Sequence, residues 1–136
     1  MTVPKTAVLV LDSAEPEVLA RFYAELTGAT AGPAEGDGDL ILVTGRTGVV
    51  LGVRRDPDHT PPSWPPPGEA QRAELRILVA ERSLDEAERE AVTLGARPLA
   101  AEGGETRPGS RTTLRRYADP AGHPFVLAAH EGPPEG

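Results

Sequence analysis

The chain contains the same pattern twice, and this repeat constrains its fold more than any single residue does. Residues 8–29 and residues 74–96 each run from an apolar stretch through a turn into an amphipathic helix that ends in Gly-Ala. The second copy begins about 66 residues after the first, and self-similarity at such a period indicates repeated structural modules. A chain of 136 residues is long enough to bury a substantial core. We therefore predict two similar modules within one domain.

In the first module the pattern predicts a strand, a helix and then further strands. The apolar run at residues 7–11 is typical of a strand that is buried on both faces. Pro16 suits the first position of the following helix, because its missing N–H is not needed there. Gly28 suits the end of that helix, where a left-handed backbone is required. The elements that follow are a loop at 32–39 and two strands at 40–43 and 49–53.

The second module repeats this order after a proline-rich segment. Six prolines lie within residues 56–68, which excludes a helix or a central strand because proline lacks the N–H donor and fixes φ. Ser83 and Glu86 form the pattern of a capping box at the start of a helix that Gly95 ends. The predicted strands are 73–79, 97–101, 112–117 and 125–129, with a loop at 103–110 and a tight turn at 119–122.

These patterns divide the chain as a single domain, 1–136. It consists of module one at 4–55, a proline-rich linker at 56–71, module two at 72–130 and a disordered tail at 131–136.

Composition and charge exclude several classes of function. The net charge of -7, with scattered Lys and Arg, argues against nucleic acid or an anionic membrane as a partner. The absence of cysteine excludes disulfides, thiolate nucleophiles and cysteine zinc sites. The apolar run before Asp12 is too short for a signal peptide or a membrane span. A cytoplasmic protein is therefore expected.

Several short motifs follow one another in a familiar order and spacing. They are Leu11-Asp12, Glu15-Pro16 and Phe22-Tyr23 in module one, Leu94-Gly95-Ala96 in module two, and DPAGHPF at 119–125. Together with the linker around Trp64, they resemble the vicinal oxygen chelate superfamily of glyoxalase, bleomycin-resistance and extradiol-dioxygenase proteins, and within it a glyoxalase-like subgroup. The resemblance implies an α+β fold of two tandem βαβββ modules whose curved sheets enclose a cavity, usually in a homodimer.

The resemblance also implies a divalent metal held by about four side chains, and this sequence departs from that pattern. The implied positions are Val8, Glu74, either Gly52 or Val53, and Val126. Such metals prefer oxygen and imidazole ligands, and only Glu74 offers one. One carboxylate is too few to hold a catalytic metal. We therefore expect no metal in the usual site and no other cofactor.

Glu74 is the most informative single residue for the chemistry. Alternation along its strand places Glu74, Arg76 and Leu78 on one face, opposite apolar residues that should pack under the helices. In a functional interpretation, Glu74 is a general base or anchors a polar ligand group, while Arg76 binds a carboxylate or enolate oxygen. In a structural interpretation, Glu74 and Arg76 pair with each other or with Arg115 and do no chemistry. Both interpretations stay open.

The other candidate ligand contacts come from both modules and the linker. Trp64 is expected either to close the mouth of the cavity or only to attach the linker to the module. Tyr117 lines the cavity or packs in the core. Arg115 and Arg116 fall on opposite faces of their strand, so that at most one of them points inward. The full set of predicted ligand-binding residues is Glu74, Arg76, Trp64, Val8, Val10, Val53, Arg115, Tyr117 and Val126.

Three functions agree with this sequence. The first is a small-molecule binding protein without the usual metal, which either sequesters its ligand or acts by metal-free acid–base chemistry. The second is a metal-dependent lyase, isomerase or dioxygenase with displaced ligands, and the third is a non-catalytic dimeric accessory protein. Because one fold hosts many reactions, the resemblance does not decide whether the protein is an enzyme.

Overall fold

The computed structural model describes Val3 and residues 5–61, 75–99 and 114–130. The chain divides into two compact units, Met1–Thr60 and Pro61–Gly136. In the described residues each unit has one four-stranded sheet and one α-helix, in the chain order βαβββ. The predicted α+β fold of two tandem modules is therefore confirmed. Neither helix of the described chain has the length and apolar character that crossing a membrane requires.

The first unit places its helix between the first and second strands of the chain. Its elements are β1 (Val10–Ser13), α1 (Pro16–Thr27), β2 (Thr30–Ala34), β3 (Asp37–Gly45) and β4 (Gly48–Arg55). The strand order is β1-β4-β3-β2, with β1 parallel to β4 and the other pairs antiparallel.

The second unit has the same layout with one additional short helix. Its elements are β5 (Leu75–Ala80), a 3-10 turn (Glu81–Ser83), α2 (Leu84–Leu94), β6 (Arg97–Pro98), β7 (Leu114–Ala118) and β8 (Pro124–His130). The strand order is β5-β8-β7-β6, and again only the first pair is parallel.

Because the two sheets share strand order and pairing, their residues can be matched by register. Several residues of β4 and β8 are paired on both sides, and the offset of the sequence repeat, which aligns Val10 with Arg76, selects the matching ones. The matched triplets are Val10, Gly52 and Leu42 in the first sheet and Arg76, Val126 and Arg116 in the second. We call the second triplet the arginine row.

Each sheet buries one face against its own helix. Arg55 on β4 forms an ion pair with Glu17 on α1, so alternation places Leu51 and Val53 on the same, helix-facing side. Both side chains are fully buried. In the second unit Tyr117 on β7 reaches Glu88 on α2, which identifies the helix-facing side there. We call the opposite side of each sheet its helix-distal face.

The predicted starts and ends of the helices are confirmed at Pro16, Gly28 and Gly95, but the predicted capping box is wrong. Gly28 ends α1 with φ 71° and ψ 30°, the left-handed conformation that a glycine adopts without strain. The capping box at Ser83 and Glu86 does not form, because Ser83 makes no side-chain cap hydrogen bond. An N-cap residue needs an extended backbone, whereas Ser83 belongs to the 3-10 turn and has φ -102° and ψ 3°.

Two strand predictions were wrong, and both concern strands at the end of a sheet. The first strand was expected to be buried on both faces, but Leu9 and Val10 are 44% and 41% exposed because β1 has only β4 beside it. The expected loop at 32–39 contains most of β2 and the start of β3. Pro33 is compatible with β2 because a strand at a sheet edge does not need every N–H donor.

Candidate functional site

Two arginines lie side by side on the helix-distal face of the second sheet, with one valine between them. Arg76 on β5 and Arg116 on β7 both pair with Val126 on β8. Since adjacent strands are about 4.8 Å apart, the Cα atoms of the two arginines are separated by roughly 10 Å. Arg76 is exposed and Arg116 is half-buried, while Val126 is buried beneath them. The arginine row thus places two arginine side chains on the same face of the sheet.

The structure brings Arg116 to this face rather than Arg115, so the prediction for Arg115 was wrong. Arg115 pairs with the core residue Leu127 and points toward α2. Its Nη2 donates a hydrogen bond to Oδ1 of Asp85 at 2.8 Å, and its Nη1 donates to Oε1 of Glu88 at 3.4 Å. The hydrogen bond to Asp85 and the charges of both carboxylates raise the pKa of Arg115 above its usual value. Arg115 therefore attaches β7 to α2.

Tyr117 is a core residue, which is one of the two alternatives that the sequence allowed. Its ring is 1% exposed and stacks on Phe125 with 5.5 Å between the ring centroids. Its hydroxyl donates a hydrogen bond to Oε1 of Glu88 at 2.5 Å. Burial, together with this hydrogen bond, raises the pKa of Tyr117 well above the usual tyrosine value. A neutral hydroxyl in this position holds the helix to the sheet and does not face the arginine row.

In the first sheet the structure selects Gly52 over Val53 as the helix-distal residue of β4. Val53 is fully buried on the side that faces α1, so its assignment to a ligand cavity was wrong. A Cβ placed on Gly52 would lie 3.1 Å from Cγ1 of Val8 and 3.2 Å from Cδ1 of Leu40. Aliphatic side chains of the neighbouring strands therefore fill the space that a side chain at this position would need.

Val8 and Val10 lie on the helix-distal face of the first sheet, and their predicted contact with a ligand stays a prediction. Val8 is half-buried over Gly52, and Val10 pairs with Gly52. The sequence analysis missed an ion pair on the same face, in which Nε and Nη2 of Arg54 each lie 2.8 Å from Oδ1 of Asp12. The two residues are register partners on β1 and β4, so the pairing follows directly from the sheet.

The metal positions that the resemblance implies do not fit a metal where the structure describes them. Val8, Gly52 and Val126 have no side-chain donor atom, and metal ions of this kind need oxygen or nitrogen ligands. Within residues 5–61, 75–99 and 114–130, no three His, Asp or Glu side chains form a cluster that could hold a metal ion. Glu74 and Trp64 lie outside the described residues, so their roles stay predictions.

A separate groove of about 350 Å³ lies on the helix-facing side of the first unit, between α1, β2 and β3. Its floor includes Ala20 and Ile41, and its rim includes Glu17 and Arg21. Both rim charges have partners within the unit, since Glu17 pairs with Arg55 and Arg21 lies 3.5 Å from a carboxylate on the next turn of α1. The groove is thus lined by one acidic and one basic side chain, whereas the arginine row contains two basic ones.

Comparison with known proteins identifies the family. The sequence matches the model of the glyoxalase-like domain over residues 8–128. No protein of curated function matches the sequence.

Solved structures with the same fold include two proteins whose names state a function. The fosfomycin resistance protein FosX from Listeria monocytogenes is 10% identical, with a TM-score of 0.67 over 96% of each chain. A glyoxalase/dioxygenase from Nostoc punctiforme is 16% identical, with a TM-score of 0.65 over 96% of this chain and 100% of that chain. At these identities the structures support the fold alone. The match of the family model over residues 8–128, which is most of the sequence, shows that this chain belongs to the glyoxalase-like domain family.

Proposed function

We propose that this protein binds a small organic molecule through an anionic group that the arginine row holds. The observation that carries the proposal is the pairing of Arg76 and Arg116 with the same residue, Val126, on one face of one sheet. A guanidinium group donates hydrogen bonds in a planar fork that matches carboxylate and phosphate-type oxygens. Two such groups abreast, in a chain of net charge -7, create a local site for anions on an otherwise acidic protein.

The proposed binding does not use the metal that the superfamily commonly holds. Three of the implied ligand positions carry aliphatic side chains or none, and Val8 and Leu40 occupy the space above Gly52. Metal analysis of the purified protein tests this part, and we expect far less than one tightly bound divalent metal per chain. A stoichiometric metal that is lost in Glu74→Ala would instead support metal-dependent chemistry with displaced ligands.

Binding is proposed as the main activity, and acid–base catalysis by Glu74 as an addition to it. The binding role rests on Arg76 and Arg116, whose positions are described. The catalytic role rests on Glu74 as a general base two residues before Arg76 in the sequence. A Glu74→Gln variant separates the two, because sequestration persists without the carboxylate whereas turnover of a ligand by this base does not.

A cytoplasmic homodimer completes the proposal. Light scattering coupled to size-exclusion chromatography tests the dimer, and we expect a mass of twice the 14.3 kDa chain. A monomer at micromolar concentration contradicts this part without affecting the proposal for the arginine row.

The charge of the ligand provides the sharpest test of the anion site. We expect benzoate and hexanoate to raise the melting temperature of the protein, while the neutral amides benzamide and hexanamide do not. By calorimetry, Arg76→Gln and Arg116→Gln should each weaken anion binding by about tenfold or more, since a hydrogen bond to a charged group contributes about 1.5–3 kcal/mol. Arg116→Lys should retain part of the affinity because it keeps the charge but loses the fork.

Arg89→Gln is the matched control, because Arg89 is an exposed arginine on α2. The proposal fails if acids and amides stabilise the protein equally, or if Arg89→Gln weakens binding as much as the substitutions in the arginine row do.

A further inference from the structure

An apolar row lies directly beside the arginine row on the same face of the second sheet. Leu78 on β5 and Leu114 on β7 both pair with Ala128 on β8. These residues are two positions along their strands from the arginine row, so they share its face and lie roughly 7 Å away from it. We call this triplet the leucine row.

The leucine row is more exposed than apolar side chains of this size usually are. Leu78 is 57% exposed, and apart from Val3 no large apolar side chain of the described residues is more exposed. Leu114 is half-buried, and Ala128 is buried between the two leucines. A sheet face that only meets solvent carries polar residues, so a cationic row followed by an apolar row is better explained by a ligand with the same two parts.

The matched positions of the first sheet show that the fold itself does not require this arrangement. Register places Asp12, Arg54 and Leu40 where the second sheet has Leu78, Ala128 and Leu114. Asp12 and Arg54 form an ion pair there. In the described chain, only the second sheet therefore places an apolar row beside two cationic side chains.

We propose that the ligand is an amphipathic organic anion, whose charged head binds the arginine row and whose alkyl or aryl group lies along the leucine row. The inference rests on the proposed function, since it assigns the anion to the same two arginines. Contact with the leucine row makes Leu78 and Leu114 residues that determine specificity. A head without an apolar group, such as acetate, reaches only the arginines, whereas a tail that extends roughly 7 Å from the head covers both rows.

A series of straight-chain carboxylates tests the inference by calorimetry on the full chain. From butyrate through hexanoate to octanoate, we expect affinity to rise by up to about fourfold for each methylene that contacts the leucine row, and then to level off. Leu78→Gln should flatten this dependence, so that the affinities for butyrate and octanoate differ less than they do in the wild type. Leu78 is exposed on a strand at the end of the sheet, so the variant is expected to fold. Val92→Gln is the control, because Val92 is 43% exposed on α2.

The possible outcomes separate the inference from the proposed function. If no carboxylate of any length binds, the proposed function itself is wrong. If carboxylates bind through the arginines but affinity does not depend on chain length, or if Leu78→Gln keeps the full dependence, the anion site stands and the apolar subsite is wrong. If Leu78→Gln changes the oligomeric state and leaves the chain-length dependence intact, the leucine row is an interface between copies and the inference is overturned.

Discussion

The two units have the same strand order and bury the same kind of residue under their helices, yet their helix-distal faces carry different chemistry. In the first sheet the row of Val10, Gly52 and Leu42 is aliphatic, and the neighbouring row contains an ion pair. In the second sheet the matched row contains two arginines, and the neighbouring row is apolar. Packing against a helix requires apolar residues on the helix-facing side of each sheet. The two copies of the repeat therefore differ mainly on their helix-distal faces. The proposed function lies where the two copies differ most.

The largest expected effects test whether the helix-facing cores of the two units contribute similarly to the free energy of unfolding. Leu51 and Phe125 occupy matched positions, and both are fully buried. We expect Leu51→Ala to lower the free energy of unfolding by about 2–5 kcal/mol and Phe125→Ala by about 3–5 kcal/mol. Urea denaturation measures both values, and Val18→Ala on the exposed side of α1 is the control. A loss below about 1 kcal/mol at either position would show that the cores are not equivalent.

The next prediction concerns how each helix is attached to its sheet. Tyr117→Phe removes a part-buried hydrogen bond to a carboxylate and should lower the free energy of unfolding by about 1.5–3 kcal/mol. Glu17→Gln weakens the exposed ion pair with Arg55 and should cost less than about 1 kcal/mol. Urea unfolding of the two variants measures the difference. Equal losses would contradict a part-buried attachment in one unit and an exposed one in the other.

Alkaline pH gives a separate test of Tyr117. Its pKa is raised in the folded protein, so the folded state holds the phenol proton more tightly than the unfolded state does. The stability from Tyr117 is therefore fully present below the usual tyrosine pKa of about 10, and is lost as the pH rises toward the folded-state pKa. Urea unfolding should show a constant advantage of the wild type over Tyr117→Phe up to about pH 10 and a shrinking one above it. An advantage that shrinks between pH 6 and 8 would point to another group.

A smaller loss of stability is expected when Gly52 of the first sheet is replaced by valine, the residue at the matched position 126 of the second sheet. Gly52→Val adds a side chain to a space that Val8 and Leu40 already fill, and this should cost about 1–3 kcal/mol. Gly38→Val is the matched control, because nothing lies within 4 Å of a Cβ at Gly38. Thermal denaturation compares the two. If both variants are equally stable, the helix-distal face of the first sheet is less tightly packed than the structure indicates.

The smallest expected effect comes from placing a single arginine in the first sheet. Val10 is the register match of Arg76 and is 41% exposed, so Val10→Arg should change stability by less than about 0.5 kcal/mol. We expect no gain in affinity for benzoate, because Leu42 stands where the second sheet has its other arginine. A clear gain by calorimetry would show that one arginine on this scaffold is enough to bind an anion.

Local signals in the sequence were sufficient to predict the two α-helices and the face of the sheet on which Arg76 lies. Pro16 and Gly28 mark the first helix correctly because each acts through its own backbone. In β5, Arg76 is the one charged residue among apolar ones and stands two positions after Glu74, so the face of Arg76 could be predicted directly. The edge strand β2 was harder to predict, because proline and glycine residues such as Pro33 are as compatible with an edge strand as with a loop.

The remaining errors arose where the sequence does not alternate. Arg115 and Arg116 are adjacent and identical, so composition cannot tell which of them faces the helix, and the pairing of β7 with β8 decides it. One signal was available, because Tyr117 is two residues after Arg115 and therefore lies on the same face of the strand. Assigning the tyrosine to the core would have placed Arg115 under α2 and Arg116 on the other face. The choice between Gly52 and Val53 had no such signal, since β4 is apolar on both sides.

The position of β5 at the end of its sheet affects how this protein can evolve. Among the described strands, β5 with Arg76 and Leu78 is paired on one side only, whereas Arg116 and Leu114 lie on β7, which also pairs with β6 farther along its length. A substitution on β5 therefore disturbs fewer cross-strand contacts than one on β7. We therefore expect substitutions at Arg76 and Leu78 to be tolerated more readily than substitutions at Arg116 and Leu114.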